Sequence, residues 1–529
     1  MSGIVAAHGP FDPAVGRRML DRLAHRGPDG QGTRSVGASW LGHRRLAVVD
    51  LERGTQPLGT SGDSGTSGGS TSGDDGTDDR DGGGGGDLWL VGDGEVYNHE
   101  ALRAEVGGSR FRTRSDHEVV LHLYDALGTP AFERLWGTFA FAIAGEDGRF
   151  VACRDTLGVA PLYWSRLGAT TLFASELKAF EGEWRGAVEP FPPGHAWAPQ
   201  DGLVAWRPSP TPAPVLLRSR EPRDDPPRWV FDAIRDSLVR AVEHLMVADV
   251  PVGIFLSGGV DSSIVTAIAA RAAAAAGTTI KTFAAGMEGS RDIEAARTVA
   301  DHAGTDHHEL IYRGEDAIAS VPGVISVLES FDPTLVHSAV PNYLVANLAR
   351  RHVKAVLIGE GADELFAGYT HLADVETADA LHDELVEMLG GLHIGGLQRV
   401  DRVTSANGIE ARIPFLDLDL VELAMALPPA WKLVDDRRPG KWLLRQAFDG
   451  WVPDEVLWRR KEQFGQGTGM DTVLRDHFGA LVSDDDLARE RNVVDPPLRT
   501  REELAYFRLF TERLPGVPAQ GTIGRFVEA

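Results

Sequence analysis

The pattern of apolar and polar positions differs on the two sides of a proline-rich stretch, Pro208-Ser209-Pro210-Thr211-Pro212-Ala213-Pro214 through Asp224-Asp225-Pro226-Pro227. Before it, short apolar runs such as Phe150-Val151-Ala152-Cys153 and Thr171-Leu172-Phe173-Ala174 predict strands of an α+β domain. After it, apolar runs at 252–256, 280–283 and 353–358 alternate with helical stretches near 262–275, 292–303 and 338–351. That alternation predicts a parallel sheet with crossover helices, an α/β domain. Proline density makes the stretch an extended connector, so the domains are expected at 1–205 and 229–529 with a linker at 206–228. A second stretch, 59–87, holds no aliphatic or aromatic side chain and is expected to be a disordered surface loop. Because Leu88-Trp89-Leu90-Val91 resumes a strand-like pattern, this loop is expected to interrupt one domain rather than separate two.

The junction after the 252–256 run carries the chemistry. Ser257-Gly258-Gly259-Val260-Asp261-Ser262-Ser263 lies between that run and the helix-like Ile264-Val265-Thr266-Ala267-Ile268-Ala269-Ala270. A strand, a glycine and hydroxyl turn, then a helix N-terminus presents free N–H groups and the positive dipole end to phosphate. Ser257, Ser262 and Ser263 offer hydroxyls, and Asp261 can hold Mg²⁺ against a polyphosphate. The loop has no P-loop lysine, so it is expected to hold released pyrophosphate rather than a transferable γ-phosphate. It resembles the pyrophosphate loop of ATP pyrophosphatases, enzymes that adenylylate a substrate, and its place at a strand's carboxyl end is where such sheets bind ligands.

Composition narrows the partners. The 529 residues carry a net charge of −24, which argues against nonspecific nucleic-acid binding. No run of about 18 uncharged apolar residues predicts a membrane span, and Met1-Ser2-Gly3-Ile4 does not begin a secretion signal. A cytoplasmic enzyme is expected. Cys153 is the single cysteine, which excludes an intramolecular disulfide and suits buried packing. Only six lysines occur, Lys178, Lys281, Lys354, Lys432, Lys441 and Lys461, so a lysine beside a motif is less readily dismissed as surface decoration.

Many motifs in order carry a wider resemblance. The C-terminal half has Asp249-Val250-Pro251-Val252-Gly253 leading into the loop, then Gly304-Thr305-Asp306-His307-His308-Glu309. It continues with Gly359-Glu360-Gly361-Ala362-Asp363-Glu364-Leu365-Phe366-Ala367-Gly368-Tyr369, Leu397-Gln398-Arg399-Val400-Asp401-Arg402, Gly408-Ile409-Glu410-Ala411-Arg412-Ile413-Pro414-Phe415-Leu416-Asp417 and Arg460-Lys461-Glu462-Gln463-Phe464. The N-terminal half has His25-Arg26-Gly27-Pro28-Asp29, His43-Arg44-Arg45-Leu46, Gly94-Glu95-Val96-Tyr97-Asn98 and Ser115-Asp116-His117-Glu118. Over nearly its whole length the chain resembles the asparagine synthetase family. The resemblance implies an N-terminal Ntn-hydrolase, class II glutaminase-like α+β domain and a C-terminal α/β ATP-pyrophosphatase synthetase domain. It implies ATP and Mg²⁺ as cofactors, with Asp261 and Asp363 as metal carboxylates. It places the ATP and pyrophosphate site at Leu256, Ser257, Gly258, Gly259, Asp261, Ser262, Ser263 and Gly359. Glu360 matches a carboxylate at the adenylate, suited to act as base for the attacking amine, and Lys461 a lysine that stabilises charge there. In the glutaminase half, Arg45 would clamp the glutamine carboxylate, with Gly94 beside it, and Glu95 and Asp116 would receive the α-amine. A homodimer is a further family-level expectation.

Departures from the family pattern bear on function. The family's N-terminal cysteine nucleophile is replaced by Ser2, a much weaker nucleophile. Asp93 stands where the family has an asparagine that donates into the oxyanion hole, and an ionised aspartate accepts instead of donating. Loss of one such donor costs roughly 10²–10³ in rate. The expectation is ATP-dependent amidation of aspartate to asparagine through β-aspartyl-AMP, using free ammonia because the glutaminase is lost. In 329–338, Leu335 and His337 replace the family's threonine and arginine, leaving a weaker cation near pyrophosphate and substrate. Alternatives are a ligase for another carboxylate or amine, including β-lactam-type ring closure, a glutamine-dependent synthetase running on Ser2, and a non-catalytic regulator. No tyrosine lies between Tyr312 and Tyr343 to partner Glu360 for ring closure.

Overall fold

A computed structural model describes residues 1–60, 87–207, 225–459 and 469–526. The chain divides into two compact units, 1–155 with 162–208, and 156–161 with 209–529. The first unit is built on two antiparallel six-stranded sheets. One runs in spatial order Val188–Pro190, Tyr163–Leu167, Thr170–Ala174, Gly3–His8, Ser39–Arg45 and Gly30–Val36. The other runs Gly202–Ala205, His195–Ala198, Phe150–Arg154, Gly137–Gly145, Leu88–Val96 and Leu58–Gly59. Gly3–His8 and Ser39–Arg45 pack against Leu88–Val96, so the two sheets meet face to face. Under the second sheet, helix His117–Leu127 buries Val119, Val120, Leu121 and Leu123 against Leu90, Phe139, Phe141 and Phe132. Every second residue of these strands must point into one apolar layer or the other, which is why they read as near-continuous apolar runs.

Cys153 is free and buried in Phe150–Arg154, as packing alone would place it. The low-complexity stretch lies mostly outside the described residues, but both of its ends are described. Leu58 pairs with Leu90 and Gly59 with Trp89, so the stretch leaves and re-enters one sheet through adjacent strands. Most of the proline-rich connector, 208–224, likewise lies outside the described residues.

The second unit is a five-stranded sheet in the order Asp306–Tyr312, Lys281–Met287, Val252–Phe255, Ala355–Leu357 and Glu410–Arg412, parallel throughout. Helices Val260–Ala275, Arg291–Ala303 and Pro333–Ala349 occupy the three stretches expected as crossovers. The third begins five residues before the expected start (338 − 333), because Asp332 accepts a hydrogen bond from Leu335 N as N-cap and Pro333 takes the first turn. Val260–Ala275 is alanine-rich and buried on nearly all sides, so propensity and packing agree there. Among the described residues, no helix is long and apolar enough to cross a membrane.

Candidate functional site

In the second unit the loop after Val252–Phe255 turns straight into helix Val260–Ala275, with Gly259 as the residue before the helix. Leu256 is fully buried and its N–H donates to Phe283 O at 2.9 Å, tying the loop to the neighbouring strand. Gly258 holds the turn at φ +74°. The loop hydroxyls bond one another: Ser257 Oγ lies 3.0 Å from Ser262 Oγ, which also accepts from Ser257 N at 3.2 Å. Ser263 differs from its expected role. Its hydroxyl donates to Gly259 O at 2.7 Å and its side chain is inaccessible, so it braces the turn instead of facing phosphate. Gly359, after strand Ala355–Leu357, passes so close over the helix start that an added Cβ would lie 2.8 Å from Ser262 N and 2.9 Å from Asp261 Cβ.

Asp261 in the first turn of Val260–Ala275 and Asp363 in the short helix Ala362–Phe366 converge on one point. At that point stands the ammonium of Lys441, 2.6 Å from Asp261 Oδ2 and 2.8 Å from Asp363 Oδ1. Burial opposes the lysine's charge, but the two carboxylates outweigh it and raise its pKa above the ordinary lysine value. The fold thus brings to the loop a lysine that lies 180 positions downstream of Asp261. Its only signals in the sequence are the rarity of lysine and its place just after Gly440.

Beside this pair lie Glu360, Glu364 and Arg399. Glu360 is ion-paired with Arg399 Nη2, and both side chains are largely buried. Arg399 Nε is buried without a hydrogen-bond partner. Glu364 is buried, accepts from Tyr369 OH at 2.6 Å through Oε1, and leaves Oε2 unpartnered. Burial, then the charges of Asp363 and Glu360, push the Glu364 carboxyl up to about 7. Lys461 lies outside the described residues. His337 is not turned to this cluster's acids: its Nε2 is 2.6 Å from Glu502 Oε1, which also accepts from Tyr506 OH at 2.8 Å. The basic group at the head of that helix is Arg499, 3.2 Å from Asp332 Oδ2.

In the first unit, the residues matching a glutaminase site also come together. Ser2 precedes strand Gly3–His8, and its N–H donates to Asp93 Oδ1 at 2.5 Å. Its hydroxyl accepts from Leu46 N at 3.3 Å. Asp93, in strand Leu88–Val96 with Gly94 and Glu95, has no exposed surface. Its Oδ2 is 3.0 Å from Arg26 Nη2, and Gly94 N donates to its Oδ1 at 2.9 Å. Arg26, also fully buried, pairs in addition with Glu176 Oε1 at 2.9 Å and donates to Ser2 O at 2.6 Å. Arg45 turns its guanidinium to the carbonyls of Leu51, at 3.1 Å, and Asp50, at 2.5 Å. Asp116 accepts from Val96 N at 2.7 Å. Burial disfavours its charge, yet the facing His117 ring and that N–H hold its carboxyl down at about 2. Arg26 is the participant that sequence reading did not assign, although it lies inside a quoted motif.

Comparisons agree with this two-part construction. The family model described as Asparagine synthase matches residues 233–377 and 371–504. Two models described as Glutamine amidotransferase domain match 82–182 and 1–66. The chain is 35% identical to "Asparagine synthetase [glutamine-hydrolyzing] 3" of Arabidopsis thaliana, covering 99% of this chain and 89% of the relative. It is 35% identical to the asparagine synthetase of Sandersonia aurantiaca, over 97% and 96% of the two chains. With the probable asparagine synthetase of Dictyostelium discoideum it shares 34% identity over 100% and 96%. The first unit is thus a glutamine amidotransferase domain and the second an asparagine synthase domain, and the chain belongs to the asparagine synthetase family of carbon–nitrogen ligases.

Proposed function

We propose that this protein amidates aspartate to asparagine with ATP, drawing on free ammonia. The observation that carries the reading is the convergence of Asp261 and Asp363 on one cation position beside the loop and helix N-terminus, with Glu360 and Arg399 alongside. Two hard carboxylate oxygens less than 3 Å from a single positive atom fit Mg²⁺ chemically, and Asp261 and Asp363 would hold it. When bound, such a cation neutralises polyphosphate charge. The β-carboxylate oxygen of aspartate attacks the α-phosphorus of ATP, and the bond to pyrophosphate breaks. Ammonia then attacks the acyl carbon of the adenylate, AMP leaves with the C–O bond electrons, and the nitrogen loses a proton. Glu360 is the acceptor for that proton once substrate draws Arg399 away, because a second carboxylate on the substrate suits the guanidinium fork. The free Arg399 Nε supports that use.

Ammonia rather than glutamine follows from Asp93. With Ser2 at the chain's N-terminus, its α-amine would face a buried carboxylate. That neighbour favours the ammonium over the neutral amine that an Ntn nucleophile needs as its base. The same carboxylate repels an oxyanion forming at Ser2. The test supplies aspartate and Mg–ATP with either ammonium or glutamine, and follows AMP, asparagine and glutamate. Asparagine from ammonium without glutamate release from glutamine is the expected result. Glutamate release coupled to asparagine would show Ser2 working despite Asp93, and no asparagine from either source would overturn aspartate as the acceptor.

A further inference from the structure

The lysine between the two acids is held there by its surroundings. Lys441 sits at φ +64°, a left-handed conformation that a side-chain-bearing residue rarely adopts. Its N–H donates to Phe366 O at 3.0 Å, and the next residue, Ala367, is also left-handed at φ +53°. Gly368 then lets the chain close over the ion pair. A Cβ at that position would lie 2.0 Å from Asp363 Oδ1 and 2.2 Å from Lys441 Cε. Lys441 is only 4% exposed. One turn along, Arg445 is turned away: its guanidinium donates to the carbonyls of Gly440, at 2.9 Å, Leu457 and Arg459, at 3.1 Å.

Charge and geometry make this ammonium a competitor for metal. A divalent cation held by Asp261 and Asp363 would compete for the space Nζ occupies, and two cations close together repel strongly in a poorly solvated site. The lysine must then move, which its flexible four-carbon stem permits while the backbone stays fixed. Leaving both carboxylates for nothing is costly for a buried ammonium. Leaving them for a polyphosphate oxygen is not. Among the described residues no cluster of three or more His, Cys, Asp or Glu side chains forms a metal cage, so two acids alone make a poor site for a free ion.

We propose that Lys441 is a positioning residue that occupies the divalent-cation seat on Asp261 and Asp363 and yields it to a cation arriving with its nucleotide, not to the free ion. This rests on the reading of the two acids as a metal–nucleotide site, and it is independent of which acid the enzyme amidates. The experiment is titration of the full-length protein with Mn²⁺, read by electron paramagnetic resonance, with and without a non-hydrolysable ATP analogue. Without nucleotide, K441M is expected to bind one Mn²⁺ about tenfold or more tighter than wild type, because the competing occupant no longer subtracts from the competent state. Addition of D261N to K441M should abolish that binding. With the analogue, wild type is expected to gain a Mn²⁺ site that D261N removes. Nucleotide-free wild type binding Mn²⁺ as tightly as K441M, at a site lost in D261N, would overturn the proposal. Should K441M not fold, a nucleotide-free Mn²⁺ site in wild type that D261N abolishes would overturn it alone. Failure of either protein to bind Mn²⁺ even with the analogue would overturn the underlying metal-site reading as well, whereas failure to make asparagine would leave these binding results standing.

Discussion

Each unit buries a cation among carboxylates, and the two arrangements differ in the kind of cation. In the first unit Asp93 faces Arg26, whose guanidinium is shared with Glu176 while its Nε donates to Ser2 O. A planar, always-charged fork bonded in several directions has no second position to adopt. In the second unit Asp261 and Asp363 face Lys441, a compact ammonium at the end of a flexible stem. A lysine can exchange one set of anions for another without moving its backbone. Identical ingredients, buried acids and a buried base, thus make a closed site in one unit and an exchangeable site in the other.

Three changes test this contrast. The largest effect is expected from D363N, which removes one of the two oxygens that either the ammonium or a cation requires. Asparagine formation measured as AMP released should fall roughly 10³-fold, in keeping with loss of preorganised charge stabilisation. A fall of less than about tenfold would mean that the acid pair is not where nucleotide charge is managed. Next comes reopening of the closed site. The double variant S2C/D93N should release glutamate from glutamine about 10²–10³ times faster than S2C alone, because a donor replaces an anion in the oxyanion position. Equal rates in the two variants would show that Asp93 does not limit glutaminase chemistry in the first unit.

The smallest effect concerns a second buried lysine in the synthetase unit. Lys432 donates to Ala424 O at 2.6 Å, and burial pushes its pKa from the ordinary 10.5 down to about 7. Between those values the unfolded chain holds a proton that the native chain has released, so stability rises with pH from about 7 to about 10.5. Above that window the contribution is fully present; it is lost progressively as pH falls from about 10.5 and is gone below about 7. K432M should remove this slope. Relative to wild type it should be more stable at pH 7 and below, by a margin that shrinks toward nothing near pH 10.5, as read from urea unfolding. A difference independent of pH would show that Lys432 keeps its charge, as Lys441 does between its two carboxylates.

Local pattern carried much of what the structure contains. Residues 252–263 announced a strand, a turn and a helix N-terminus because alternation, glycine and hydroxyl placement act within a few positions of one another. Ser2 and Asp93 set the expectation of a changed glutaminase chemistry because a hydroxyl and a carboxylate differ from a thiol and an amide whatever surrounds them. The start of helix Pro333–Ala349 was legible in principle from Asp332 and Pro333, although apolar rhythm alone placed it later.

Partnerships were decided by the tertiary structure. Nothing near Asp93 in the chain points to Arg26, nothing near Glu360 singles out Arg399, and His337 finds Glu502 only because two helices meet. Ser263 reads as a phosphate ligand until the turn folds and Gly259 O accepts the hydrogen bond of its hydroxyl. Lys441 reads as an ordinary lysine until the fold sets it between Asp261 and Asp363. Residue types and their local spacing set which chemistry the chain can perform. Which charges meet, and whether they can part again, depends on distances between residues far apart in sequence, and those exist only once the sheet and its crossover helices have packed.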